Sequence, residues 1–152
     1  MKKILFFLFL SLSAFLNANE KNNKLADLLH SFGNNGEYAQ MDSVYNLIIH
    51  EDHYRQDKLY ALNITLDYAR FLNQKGDSER ANTLLTQIRE NAMALEKFPE
   101  NTIAHQLQEI AAIATYEIAY GQWQNNQLPA ARETAEEAVS QLEQVKDSVN
   151  LA

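Results

Sequence analysis

The chain contains no cysteine, and its 152 residues include only four glycines and two prolines. Without cysteine the protein has no disulfide, no thiolate zinc site and no cysteine nucleophile. So few glycines and prolines leave little material for tight turns, which argues against a many-stranded sandwich or barrel. The composition therefore favours one domain built from long helices.

The first eighteen residues differ from the rest of the chain. Lys2 and Lys3 form a short basic start, and residues 4–16 are apolar except for two serines. This order, closed by the small residue Ala18, is typical of a secretory signal peptide. As a helix the apolar segment would span roughly 20 Å, less than the ~30 Å hydrocarbon core of a bilayer. We therefore predict a signal peptide over 1–18, with an uncleaved anchor as the alternative.

Cleavage after Ala18 would change the size and charge of the protein. Removing 18 residues from 152 leaves 134, and loss of the two leader lysines takes the formal net charge from −7 to −9. An acidic protein repels phosphate backbones, so we expect no nucleic-acid partner. The leader indicates an exported protein, periplasmic or else fully secreted, and we expect no stable membrane insertion after cleavage.

Helical periodicity runs through nearly all of the remaining chain, with apolar residues spaced three and four apart. Leu25, Leu28, Leu29 and Phe32 illustrate the pattern. Polar turns containing Gly, Asn or Pro interrupt it, and no stretch alternates as a strand would. We predict an all-α domain over 19–152. Its six helices would form three consecutive antiparallel hairpins, at about 22–51, 55–97 and 100–149.

The three hairpins align with one another when Gly36, Gly76 and Asn126 are superposed. Four equivalent positions are then small or apolar in every hairpin, as close packing of paired helices requires. These positions are Leu29, Ala69 and Ala119; Met41, Ala81 and Ala131; Tyr45, Leu85 and Ala135; and Ile48, Ile88 and Ala138.

On these residues the chain resembles the tetratricopeptide repeat family. The best unit is 66–81, in which Ala69, Gly76 and Ala81 fall at the family's spacing. The repeats are 40 and then 50 positions apart, against about 34 in the family. The resemblance implies a divergent tetratricopeptide-like α-solenoid, and a plain six-helix bundle is the alternative.

The resemblance also implies a binding scaffold in which the first helix of each hairpin lines a groove for a protein or peptide. Two sets of partner-binding positions follow from the same alignment, besides His30 in the first hairpin. For the polar set the alternative is a solvated face, and for the aromatic set it is core packing. The sets are Asn63, Arg70 and Asn73, and Tyr116, Tyr120 and Trp123.

No pattern in the sequence points to catalysis. The segment His50, Glu51, Asp52 and His53 puts two histidines three apart, but no further ligand is evident for zinc. No nucleophile elbow or phosphate-binding glycine loop is present. We therefore expect no enzyme activity, no metal and no cofactor. A structural or assembly subunit of an envelope complex, or a helical-bundle protein of another role, is the alternative function.

Overall fold

A computed structural model of the chain describes residues 18–97 and 103–150. The predicted signal peptide, apart from Ala18, and the predicted break at Phe98–Asn101 lie outside the described residues. Within them there are seven helices and no strand, so the all-α prediction is confirmed. The helices are α1 (Ala18–Asn34), α2 (Tyr38–Ile48), α3 (Asp52–Gln56), α4 (Lys58–Lys75), α5 (Ser78–Glu96), α6 (Ala104–Gln124) and α7 (Leu128–Asn150).

The chain divides into two compact units, with the boundary between Arg55 and Gln56, inside the short helix α3. In the first unit α1 packs against α2. In the second unit α5 packs against α4 and α6, and α6 also packs against α7 and α4. The central position of α6 agrees with an apolar stripe along it, because the stripe residues Leu107, Ile110, Ala114 and Ile118 are all buried.

Three turns of the chain have the same backbone conformation. Gly36, Gly76 and Asn126 have φ of 71°, 85° and 59°, in the left-handed region. In each turn the amide of this residue bonds the carbonyl three positions back, and the next amide bonds the carbonyl five positions before itself. This pair of bonds is the Schellman motif, which satisfies the last carbonyls of a helix. The residues used to align the hairpins are therefore equivalent in backbone conformation.

Most of the aligned apolar positions form the cores of the two units. Eleven of the twelve residues in the four equivalent rows are buried, and Ala135 is the exception because it is half-buried. In the first unit Leu29, Met41 and Ile48 are completely buried between α1 and α2. The periodicity thus identifies the faces that the helices bury.

One helix was not expected from the sequence. The polar run from His50 to Lys58 reads as a turn, but Asp52–Gln56 forms the short helix α3. It buries none of its residues, so it left no apolar periodicity to detect. The next helix, α4, begins directly after it, where the Asp57 carboxylate accepts a hydrogen bond from the Tyr60 amide at 2.9 Å.

Candidate functional site

An aromatic face of α6 is open to solvent. Tyr116 is 53% exposed and Trp123 is 58% exposed, while Tyr120 between them is half-buried. The Tyr120 and Trp123 ring centroids are 5.8 Å apart, with their planes tilted by 31°. Spacings of four and three place the three rings on one side of the helix. Tyr116 and Trp123 are therefore surface residues of this unit, and core packing does not account for them.

The aromatic face forms one wall of a groove between α6 and α7. The groove has a volume of about 310 Å³, and its lining is mostly apolar. Buried Ala119 and Ala131 lie at its base, where they leave room for an approaching chain. The full lining consists of Tyr116, Ala119, Tyr120, Trp123, Leu128, Ala131, Arg132 and Ala135.

The only charged residue that lines the groove is Arg132. Its Nε lies 2.8 Å from Glu136 Oε1, one turn later on α7, and both side chains are well exposed. The hydrogen bond to Glu136, together with the charge of that carboxylate, raises the pKa of Arg132 above its ordinary value. The cation in the groove is thus fixed beside an acid of the same helix.

The apolar lining continues along α7 beyond the groove. Leu128 and Val139 are each 54% exposed and Leu142 is 39% exposed. Together with Arg132 and Ala135 they follow one another at alternating spacings of four and three. We call Leu128, Arg132, Ala135, Val139 and Leu142 the uncovered stripe of α7. The row directly beside this stripe on α7, formed by Ala131, Ala138 and Val145, is buried.

The predicted polar residues Asn63, Arg70 and Asn73 lie on α4 and do not line the groove. Asn63 is exposed, and its amide donates to the Leu59 carbonyl at 3.0 Å. Arg70 is half-exposed, and its Nε is 3.1 Å from Glu117 Oε1 on α6. The structure therefore does not bring the polar set and the aromatic set into one site.

Asn73 differs most from its expected position on a binding surface. Its side chain is completely buried, and its amide nitrogen donates to the Glu117 carbonyl at 2.9 Å. A buried amide needs such a partner. Here the partner is a backbone carbonyl, which every residue has, so the sequence contains no pattern that would indicate this contact. Asn73 thus contacts α6 and presents no surface to a partner.

Glu117 is a residue that the sequence reasoning missed. It is 8% exposed, and its side chain receives Arg70 from a position 47 residues away in the chain. The one available indication was its place in the central helix, which carries only one other acid, Glu109. Such a buried acid is stabilised by the cation and the amide that face it.

The histidine-containing segment at the end of the first unit is engaged with the protein itself. His50 Nδ1 lies 2.6 Å from the Asn46 carbonyl oxygen, and Glu51 Oε1 lies 2.8 Å from Lys21 Nζ. Across 18–97 and 103–150, no three His, Asp or Glu side chains are grouped so that they could hold a metal ion.

No protein-family model, no curated protein and no solved structure matches this chain. No helix in the part of the chain that the structure describes is long and apolar enough to cross a membrane. The function is therefore inferred from the chemistry of the protein's own surface. The groove between α6 and α7 is the most distinctive part of that surface, because it combines exposed aromatic rings with a base of small residues.

Proposed function

We propose that the protein is an exported, tetratricopeptide-like helical scaffold that binds a protein or peptide partner and performs no catalysis. The observation that supports this most strongly is the exposure of Tyr116 and Trp123, at 53% and 58%. Burial of a large apolar side chain away from water stabilises a complex by roughly 1.5–3 kcal/mol. Tyr and Trp are also enriched at the centres of interfaces. A surface that presents both beside an open groove suits a partner that covers them.

The repeat-like construction of the chain supports a scaffold. The three left-handed turns are equivalent in hydrogen bonding, and the aligned apolar rows bury the same side of each helix pair. Proteins built from stacked helical hairpins use the surfaces between helices for binding. The long spacing from Gly76 to Asn126 reflects the lengths of α5 and α6, which have 19 and 21 residues.

Arg70 and Asn63 are proposed as a second, polar contact surface on α4. Asn63 is exposed, and half of the Arg70 side chain is accessible although its Nε is engaged by Glu117. Its Nη1 lies 4.0 Å from Asp67 Oδ1 on the same helix, and the accessible part of the guanidinium is suited to donate to a backbone carbonyl or carboxylate of a partner. Asn73 contributes to this surface only by holding Glu117 in place.

Export is proposed from the leader alone. Lys2, Lys3 and the apolar segment that follows predict delivery to the periplasm or beyond, with Asn19 as the first residue of the mature protein. Mass spectrometry of the protein recovered from periplasmic and culture fractions tests this. A mature amino terminus at Asn19 is the expected result, and a full-length chain confined to the cytoplasm contradicts export.

Site-specific photo-crosslinking tests the binding function. A photoreactive phenylalanine analogue replaces Tyr116 in the groove or, as the control, Ala94 on the exposed surface of α5. The expected result is a crosslinked protein from envelope fractions at position 116 that is absent at position 94. Trp123→Ala in the same chain should reduce that crosslink. Equal crosslinking at both positions would show that the groove is not the binding surface.

A structural or assembly subunit is the second candidate, and the exposure of Val139 and Leu142 on α7 favours it. In that case the crosslink at position 116 would join copies of this chain or a fixed neighbour in a complex. Analytical ultracentrifugation of the mature protein tests assembly with its own copies, because such a subunit sediments as an oligomer whereas a scaffold for a different partner sediments as a monomer.

A further inference from the structure

We propose that Asn35 is a site of spontaneous deamidation, at which the side-chain amide is lost as ammonia and the residue becomes aspartate or isoaspartate. Asn35 and Gly36 are both exposed in the turn after α1, and they form the only Asn-Gly pair in the chain. The reaction needs water and no enzyme. This proposal does not depend on the binding function proposed above.

The chemistry involves two neighbouring groups of the chain. The Gly36 backbone amide gives its proton to hydroxide or a buffer base, and its nitrogen attacks Cγ of Asn35. The new N–Cγ bond closes a five-membered succinimide ring, the Cγ–Nδ2 bond breaks, and Nδ2 takes up a proton and leaves as ammonia. Water then opens the ring at either carbonyl carbon. Opening at Cγ gives aspartate, and opening at the backbone carbon gives isoaspartate, in which the main chain runs through Cβ and Cγ.

The glycine that follows Asn35 favours ring closure. Gly36 has no Cβ to hinder the approach of its nitrogen, and its backbone adopts more conformations than that of any other residue type. Every other asparagine of the chain precedes a residue that has a Cβ. Asn63 illustrates a second obstacle, because it lies inside α4, where the helix fixes the backbone on both sides of the side chain.

The hydrogen bonds of the turn show which contact must open first. The Gly36 amide donates to the Gly33 carbonyl at 3.1 Å, and the Glu37 amide donates to the Phe32 carbonyl at 2.8 Å. These two bonds form the Schellman motif at the end of α1. The Gly36 nitrogen carries no proton in the succinimide, so it cannot donate to Gly33 at that stage. Ring closure therefore requires local opening of an exposed helix end, which costs less than global unfolding.

The third turn of the chain provides a matched comparison. Asn125 and Asn126 occupy the positions of Asn35 and Gly36, both are exposed, and the two corresponding hydrogen bonds measure 3.0 and 2.9 Å. The backbone φ is 59° at Asn126 and 71° at Gly36. At the attacking residue the two turns thus differ in the side chain of Asn126, which Gly36 lacks. Asn125 should therefore stay intact under conditions that modify Asn35.

Modification of Asn35 should weaken the end of α1. A carboxylate at this position adds a negative charge where the helix macrodipole is already negative. Isoaspartate also lengthens the main chain by one atom directly before Gly36, so the two bonds of the Schellman motif lose their geometry. Because the carbonyls of Phe32 and Gly33 then lose their donors, we expect the connection between α1 and α2 to open more often.

Peptide mapping by mass spectrometry tests the proposal. The purified protein is incubated at 37 °C in buffers of increasing pH and digested, and the peptides that contain asparagine, aspartate and isoaspartate are separated by chromatography. We expect Asn35 to be modified at least tenfold faster than Asn125, with both products formed. The rate at Asn35 should rise with pH, because base removes the Gly36 amide proton.

Two substitutions should exchange the behaviour of the two turns. Asn126→Gly creates an Asn-Gly pair in the third turn without backbone strain, so Asn125 should then be modified within threefold of the rate at Asn35. Gly36→Asn gives the first turn the sequence of the third and should slow the reaction of Asn35 at least tenfold. Asparagine tolerates the left-handed conformation of this turn. Circular dichroism verifies that the helices of both variants are intact.

Hydrogen exchange measures the structural consequence in the same incubated samples. The amides of Gly36 and Glu37 should exchange at least fivefold faster in the modified protein than in fresh protein. The equivalent amides of Asn126 and Gln127 should keep their exchange rates, because the third turn is unmodified.

Three results would overturn the proposal. Equal rates at Asn35 and Asn125 would show that the Asn-Gly pair is not a preferred site. Unchanged rates in Asn126→Gly and Gly36→Asn would show that the glycine does not control the reaction. Formation of aspartate without isoaspartate would indicate direct hydrolysis of the side chain and exclude attack by the Gly36 nitrogen.

Discussion

The guanidinium of Arg70 lies against the buried carboxylate of Glu117, with 3.1 Å between Arg70 Nε and Glu117 Oε1. Asn73, one turn further along α4, donates to the Glu117 carbonyl at 2.9 Å. Both the side chain and the backbone of Glu117 are therefore held by α4. This contact links the first helix of one hairpin to the first helix of the next, beyond what apolar packing alone provides.

Replacing Arg70 should destabilise the second unit. In Arg70→Ala the Glu117 carboxylate stays buried without its cation, which should lower the free energy of unfolding by about 1–2 kcal/mol. The loss is no larger because part of the site is open to water. Arg70→Lys should recover part of the loss. Urea unfolding measures the effect, with Arg132→Ala as the control. Because Arg132 and Glu136 form an exposed pair, removal of Arg132 should cause no measurable change.

The unfolding measurement also shows whether the Arg70 side chain contributes to stability, to partner binding or to both. If Arg70→Ala unfolds as wild type does, the Glu117 contact has no energetic role and the side chain serves only the surface. If Arg70→Ala is destabilised, its loss of partner binding could result from the altered fold. Asn63→Ala is then the comparison, because it removes an exposed side chain from the same helix and leaves the Glu117 contact in place.

Gly121 is expected to resist substitution although it lies inside α6. Alanine normally stabilises a helix interior by about 1 kcal/mol relative to glycine. Here a Cβ would stand 3.0 Å from Asn82 Oδ1 and 3.1 Å from Asn73 Oδ1. Asn73 is held by Glu117 and has little freedom to withdraw. We therefore expect Gly121→Ala to destabilise the unit by about 1 kcal/mol.

A double-mutant cycle tests this explanation of Gly121. In an Asn82→Ala background one of the two oxygens is absent, so Gly121→Ala should cost less than it does in wild type. Equal costs in both backgrounds, measured by urea unfolding, would show that the amide oxygens are not the obstacle.

The helices and their turns could be predicted because each depends on residues near one another in sequence. Gly36, Gly76 and Asn126 indicated the three turns, and all three adopt the left-handed conformation that ends a helix. The apolar rows indicated which faces are buried. Helix α3 was missed because it buries nothing and so has no apolar period.

The polar interior could not be predicted in the same way. Asn73 and Arg70 were expected to face a partner, yet both contact Glu117, which lies 44 and 47 positions away. A helical period shows which residues share a face but not which neighbouring helix that face meets. By contrast, the exposure of Tyr116 and Trp123 agrees with a surface position for the aromatic set, which forms a second stripe that the packing of α6 leaves uncovered. Its role in binding stays a prediction.

Two substitutions at the left-handed turns should affect stability differently. Gly76→Ala should cost about 1–2 kcal/mol, although no atom lies within 4 Å of the added Cβ, because its φ is 85°. Asn126→Gly should be neutral or slightly stabilising, since the turn at Asn126 has φ of 59° and glycine adopts it without strain. Thermal unfolding compares the two variants. A stable Gly76→Ala variant would mean that the turn can change its conformation without cost.

Trp123 should matter for binding and hardly at all for stability. Trp123→Ala removes a side chain that is 58% exposed and touches Tyr120, so the loss in unfolding free energy should stay below about 1 kcal/mol. Tyr68→Ala is the comparison, because Tyr68 is 1% exposed and should cost about 3–5 kcal/mol. Crosslinking at position 116 should fall severalfold in Trp123→Ala while its melting is nearly unchanged. If Trp123→Ala melts as early as Tyr68→Ala, the aromatic face is part of the core and the groove is not a binding surface.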